Sequence, residues 1–144
     1  MTRLTLVSFQ RAHLGAFRPQ GAQLCEAAFA DGAVFGDAWT AMVGDQVLGC
    51  GGLIPHGRER AYAWALLADD AGARMLALTR AVRGHLAGAS FARIEMAVDV
   101  SFAAGARWAE LLGFERETLR PLRHYLPGGR SAWLYARFAS SGAC

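Results

Sequence analysis

FARIEMAVDVSFAAGARWAELLGFERETLRPLRHY, residues 91–125, decides how this chain folds. Its first part carries a strand signal, with Ile94, Met96 and Val98 alternating against Arg93, Glu95 and Asp99. Ser101 then offers a side chain able to accept from the open first turn of a helix. At about 100° per residue, Phe102, Gly105, Trp108, Ala109, Leu111 and Leu112 share one broad side. Ala103, Arg107 and Glu110 share the other, so the helix is amphipathic and buries one face. Gly113 stops it, because the left-handed position after a helix costs glycine little. Phe114 opens a further extended segment, expected to run from Glu115 to Leu122 until Pro121 interrupts it.

Upstream, Ala71 to Leu86 reads as a second helix, with Met75, Leu78, Val82 and Leu86 on one face and Asp69 or Asp70 as its cap. Ala61 to Ala68 is a strand in which Tyr62, Trp64 and Leu66 alternate. Asp37 to Val43 and Val47 to Ile54 pair as a hairpin across Gly44-Asp45-Gln46. Gly49, Gly51 and Gly52 mark a bulge or a close backbone approach in its second arm. Arg3 to Phe9 is a first strand, Arg11 to Phe17 a short helix, and Gln20 to Phe29 another. Downstream, Leu126-Pro127-Gly128-Gly129 turns the chain into a last strand, Ala132 to Phe138.

Six or seven strands mixed with three or four helices define an α+β domain with a central, mostly antiparallel sheet covered on both faces. Residues 1–138 form this single domain, and 139–144 a flexible tail. The strands at 61 and 91 must be parallel, because the helix at 71–86 supplies the crossover such a pair needs.

Ala-Arg-Trp-Ala-Glu-Leu-Leu-Gly-Phe-Glu, residues 106–115, resembles the C-terminal motif of the GCN5-related N-acetyltransferases. The hairpin from Trp39 to Leu53 is similar to that family's central strands, so the resemblance covers roughly residues 37–138. It implies that the strands at 61 and 91 splay apart and that the pantetheine arm of acetyl-coenzyme A lies in the gap. Arg107-Trp108 and the run Tyr125 to Arg130 are similar to a divergent phage group of this superfamily, which includes internal virion proteins.

Acetyl transfer to an amine asks for backbone N–H groups at the pyrophosphate, a donor at the thioester carbonyl, a base and an acid. The resemblance places cofactor contacts at Leu66, Leu67, Gly72, Ala73 and Arg74. It makes Glu26 and Trp64 candidates for the acceptor site, although Glu26 also reads as a solvated side chain. Glu95 and Asp99 are the candidate bases, with Asp99 equally suited to capping, and Tyr125 is the candidate acid. Two features depart from the family. The loop Asp69-Asp70-Ala71-Gly72-Ala73-Arg74 keeps only the first glycine and sets two carboxylates where a cation or amide is usual. Ala109 stands at the position of the usual acidic tyrosine.

The remaining composition narrows the classes. The chain has 144 residues, a net charge of +3 and a hydrophobic fraction of 53% that owes much to alanine. All its cationic side chains except histidine are arginine, which excludes Schiff-base and P-loop chemistry. Cys25, Cys50 and Cys144 fit no zinc spacing, so no metal is expected. No apolar run reaches the ~20 residues that span a bilayer. Arg116, Arg120, Arg123, His124 and Arg130 concentrate positive charge, but Glu115 and Glu117 dilute it and no nucleic-acid partner is expected. Two functions follow. One is an acetyl-coenzyme A-dependent N-acetyltransferase with a degenerate cofactor loop and altered catalytic groups, acting in the cytoplasm on a small-molecule or protein amine. The other is a non-catalytic phage or prophage protein with virion partners; a homodimer is compatible with either.

Overall fold

Among the described residues, eight strands form one sheet in the order β1-β2-β3-β4-β5-β8-β6, with β7 also paired to β8. The computed structural model describes residues 3–21 and 37–140. The strands are β1 (Leu4–Ser8), β2 (Asp37–Val43), β3 (Gln46–His56), β4 (Arg60–Leu67), β5 (Arg93–Asp99), β6 (Glu115–Arg116), β7 (Leu122–Leu126) and β8 (Arg130–Phe138). Helix α1 (Met75–Ala87) joins β4 to β5, and α2 (Ala103–Leu111) follows β5. Every pairing between named strands is antiparallel except β4 with β5, which is parallel as the crossover requires. The architecture is the expected α+β domain with a mixed, open sheet. The helix expected over Gln20 to Phe29 falls outside the described residues from residue 22 onward.

Both helices lie on one face of the sheet, and local chemistry fixes their ends. Leu78, Val82 and Leu86 of α1 and Trp108 and Ala109 of α2 join Trp39, Leu53, Ile94 and Val98 in one core. Gly113 takes φ 94° as the position after α2. Its N–H donates to Glu110 O and the Phe114 N–H to Ala109 O, the pair of reversed bonds that closes a helix on a left-handed glycine. Arg137 on β8 spans the two helix ends, donating to Leu112 O at 3.2 Å and Leu86 O at 3.3 Å. A cation there satisfies open carbonyls and opposes the negative end of each helix dipole. On the other face a 3-10 turn, Arg11–Gly15, sets His13 Nδ1 2.6 Å from Thr40 Oγ1, and Thr40 is fully buried.

Three expectations about element ends are corrected. The strand expected over 115–122 is interrupted: Glu115–Arg116 pairs with β8, then pairing resumes at Leu122. Between them the Glu117 N–H donates to Leu134 O and the Thr118 hydroxyl accepts from Leu134 N–H, so side chain replaces backbone before Pro121. Ser101 does not cap α2, which begins after Phe102 with no side-chain cap. Its N–H and hydroxyl donate to Asp99 instead. The expected capping by Asp69 or Asp70 is also replaced. Residues Ala71–Arg74 wind as a 3-10 turn before α1, and Asp70 at its start makes no side-chain cap. The Asp70 carboxylate accepts from Gln46 Nε2 at 3.3 Å.

The β3 glycines serve close approach. A Cβ on Gly51 would stand 2.4 Å from Trp39 Cζ2 and 2.8 Å from Trp64 O. Trp39 is only 5% exposed and has no room to retreat. Gly51→Ala is therefore expected to cost about 1–3 kcal/mol through overpacking, read as a shift of the urea midpoint. Gly72→Ala is the control, since its Cβ would meet nothing within 4 Å.

Candidate active site

β4 and β5 pair over only three residues, Arg60 with Arg93, Ala61 with Ile94 and Tyr62 with Glu95. Beyond them the strands diverge, and a cavity of about 340 Å³ opens between them. That volume lies within the range of small-molecule sites, ~300–1,000 Å³. Its walls are mainly apolar: Leu66, Leu67, Met75, Met96, Phe102 and Trp108 line it. Phe102 folds over Gly105, where a Cβ would come within 2.5 Å of the ring. Gly105, itself in the lining, thus shapes one wall from inside α2.

The open edge of β4 has a partner of its own. Backbone groups of successive strand residues point to alternate edges. The Ala68 N–H donates to Leu48 O in β3, so Leu67 and Asp69 face the side that β5 has left. There the Gln20 N–H donates to Leu67 O at 2.9 Å, and the Asp69 N–H donates to Arg18 O at 2.8 Å. Pro19 and Ala68 form the antiparallel bridge between these bonds. Arg18, Pro19 and Gln20 thus form a strap along the end of β4, and Gln20 reaches the cavity lining.

The candidate residues divide into those on the slot and those off it. Trp64, Leu66 and Leu67 line it. Trp64 also meets Phe9 edge to face at 5.7 Å, and its buried Nε1 finds no hydrogen-bond partner among the described residues. Asp99 lines the slot but is committed: it accepts from Ser101 N–H at 2.9 Å and Ser101 Oγ at 2.8 Å and pairs with Arg130. Burial pushes its carboxyl up, but the Ser101 donors and the Arg130 charge outweigh it and hold the group below the usual carboxylate range. A carboxylate so held is a weak base. Glu95 is not in the lining; it accepts from Arg93 Nε at 2.8 Å and lies 3.7 Å from Arg60. Arg93 also pairs with Glu117, whose carboxyl is lowered by that bond. Tyr125 is 47% exposed and outside the lining, whereas its neighbours Leu126 and Pro127 are in it. Gly72, Ala73 and Arg74 sit in the 3-10 turn, also outside the lining, with Asp69 and Asp70 exposed just before it. Glu26 lies outside the described residues.

The remaining clusters carry structure. The Cys50 thiol is pushed up by burial, partly offset by its contact with Thr40, and stays protonated as a core residue. In the basic concentration, Arg130 serves Asp99 and Arg116 stacks 4.3 Å over the Trp133 ring. No group of side chains among the described residues has the make-up of a metal site. No helix among them is long and apolar enough to cross a membrane.

Sequence reasoning missed Gln20, Met75, Met96, Phe102 and Gly105 as lining residues. Met75 and Met96 read as ordinary core positions. Gly105 within a helix was the one visible signal, since a mid-helix glycine often marks a packing reason.

No protein-family model matches the chain, and no curated protein matches it in sequence. Solved structures do match along nearly its whole length. The ribosomal-protein-S18-alanine N-acetyltransferase from Escherichia coli superposes with a TM-score of 0.73 at 20% identity, covering 97% of this chain and 97% of that one. Ard1 from Thermoplasma volcanium superposes at 0.72 and 13% identity, covering 96% and 99%. A GNAT-family acetyltransferase from Bacillus anthracis gives 0.68 and 12% identity, covering 94% and 95%. The chain has a GNAT-like α+β fold.

Proposed function

We propose that the chain is an acetyl-coenzyme A-dependent N-acetyltransferase that holds the cofactor arm in the slot between β4 and β5. The apolar cavity where the parallel pair diverges carries this reading. The slot fits an extended chain, with Leu66, Leu67, Met75 and Met96 excluding water along it and Gln20 and Trp64 offering polar atoms. When bound, acetyl-coenzyme A supplies a thioester carbonyl already activated for attack. Trp64 borders the position of the acceptor, a small-molecule or protein amine. Asp99 is too stabilised as an anion to act as base, and Glu95 and Tyr125 serve only if a bound acceptor reaches past the slot. Among the described residues, proton removal is therefore left largely to solvent and to the acceptor's own acidity.

The turn at 71–74 is the weak part of the fit. Arg74 offers the phosphates a cation, whereas Asp69 and Asp70 oppose them across the same few residues. This charge arrangement, with the strap bonds at Leu67 and Asp69, favours a second reading. In it the chain is a non-catalytic phage or prophage protein that keeps the scaffold for virion assembly or host contact.

Calorimetry with acetyl-coenzyme A separates the two. The enzyme reading expects micromolar binding, weakened by Arg74→Ala. It also expects tightening by Asp69→Asn with Asp70→Asn, about two- to fivefold per residue for 0.3–1 kcal/mol of relieved repulsion. Absence of heat at millimolar cofactor, in both the wild type and the double variant, sinks it.

A further inference from the structure

We infer that Gln20 is a ligand-positioning residue of the slot, where its side-chain amide recognises a secondary amide of an extended, otherwise apolar ligand. The inference rests on the slot being a ligand site, as proposed above. Three observations carry it. The backbone around Gln20 is fixed independently of its side chain, by Gln20 N–H to Leu67 O, Asp69 N–H to Arg18 O and the Pro19–Ala68 bridge. This strap sets Gln20 into the lining of a cavity whose walls are otherwise mainly apolar. Among the described residues no hydrogen bond reaches the Gln20 side chain, which keeps a carbonyl acceptor and an NH2 donor unspent.

A primary amide held at an apolar wall is matched by a group that both donates and accepts. A secondary amide does so, and an extended chain carrying one can also run along the slot. Trp64, also in the lining, adds a second donor, its buried Nε1 having no partner among the described residues. A ligand lacking an amide leaves these groups unpaired after it has displaced their water, which is why the site discriminates. Two sources supply this chemistry: the pantetheine arm of an acyl carrier and the backbone of a peptide acceptor.

Gln20→Leu tests the inference, because it keeps the side chain's size and leaves the strap's backbone bonds untouched. Wild type and variant are titrated calorimetrically with pantetheine, with tri-alanine and with an alkanethiol of pantetheine's length that lacks amides. Thermal midpoints of the free proteins are expected to agree within about 1 °C, since no bond to the side chain is lost. Gln20→Leu is expected to weaken at least one amide ligand about tenfold or more while leaving alkanethiol binding unchanged. Selective loss for pantetheine assigns the amide to the carrier arm, and selective loss for tri-alanine assigns it to the acceptor. Equal affinities of both proteins for every probe overturn the role of Gln20 and leave the slot reading standing. Failure of the wild type to bind any probe overturns both.

Discussion

Trp108→Ala is expected to lower the free energy of unfolding by about 3–5 kcal/mol, the range for removing a buried tryptophan. Trp108 is 8% exposed and stands where α2 packs on α1, within the core that includes Leu78, Val82 and Leu86. Its Nε1 donates to Thr79 Oγ1 at 2.9 Å, and the Thr79 hydroxyl donates to Met75 O at 2.6 Å. One chain of bonds therefore ties α2 to the first turn of α1, beside Met75 in the slot wall. Alanine leaves a cavity continuous with the slot and removes the partner of a part-buried hydroxyl. Trp108→Phe, which keeps most of the bulk and loses the N–H, should cost about 1–2 kcal/mol. Urea denaturation measures both. A loss below about 1 kcal/mol for the alanine variant would show that the two helices are held together elsewhere.

Asp99→Ala is expected to cost about 3 kcal/mol, the lower end for breaking a buried ion pair by removing one partner. The lower end applies because Arg130 keeps 27% of its side-chain surface exposed, although Asp99 keeps only 6%. The same group makes stability depend on pH. Its folded-state carboxyl lies below the ordinary value, so the folded state binds its proton more weakly than the unfolded chain does. The stabilisation is fully present above the unfolded value of about 3.9 and is lost as pH falls through the lower folded value. Asp99→Asn keeps an acceptor for Ser101 but carries no charge. Thermal midpoints measured between pH 2 and 7 should therefore fall less steeply at the acid end for the Asn variant than for wild type. Parallel acid limbs would mean that other carboxylates, Glu117 among them, govern acid unfolding.

Much of the fold was legible because it rests on local patterns. The alternation of Ile94, Met96 and Val98 gave β5, and the helix at 71–86 required β4 and β5 to be parallel. α2 closes at Gly113, whose N–H donates to Glu110 O while the Phe114 N–H donates to Ala109 O, all within six residues, so a sequence reading sees every participant. The same local view failed where a distant residue outcompeted a near one. Ser101 looked like a cap, but Asp99 needed its N–H and hydroxyl once Arg130 on β8 drew that carboxylate into the core. Asp70 looked like a cap too, and Gln46 of β3 took its oxygen.

Sequence by itself determined the α+β class and the parallel pair, because periodicity and glycine placement act over a few residues. Only the tertiary structure decided what the slot is made of. Gln20 enters it through the edge bonds of β4, Phe102 through its fold over Gly105, and Met96 through the divergence of β5. It also withdrew Glu95 into an arginine network and spent Asp99 on Arg130. Those outcomes depend on which charges and strand edges meet across the sheet, and burial makes each charge take the nearest opposite partner that the fold delivers.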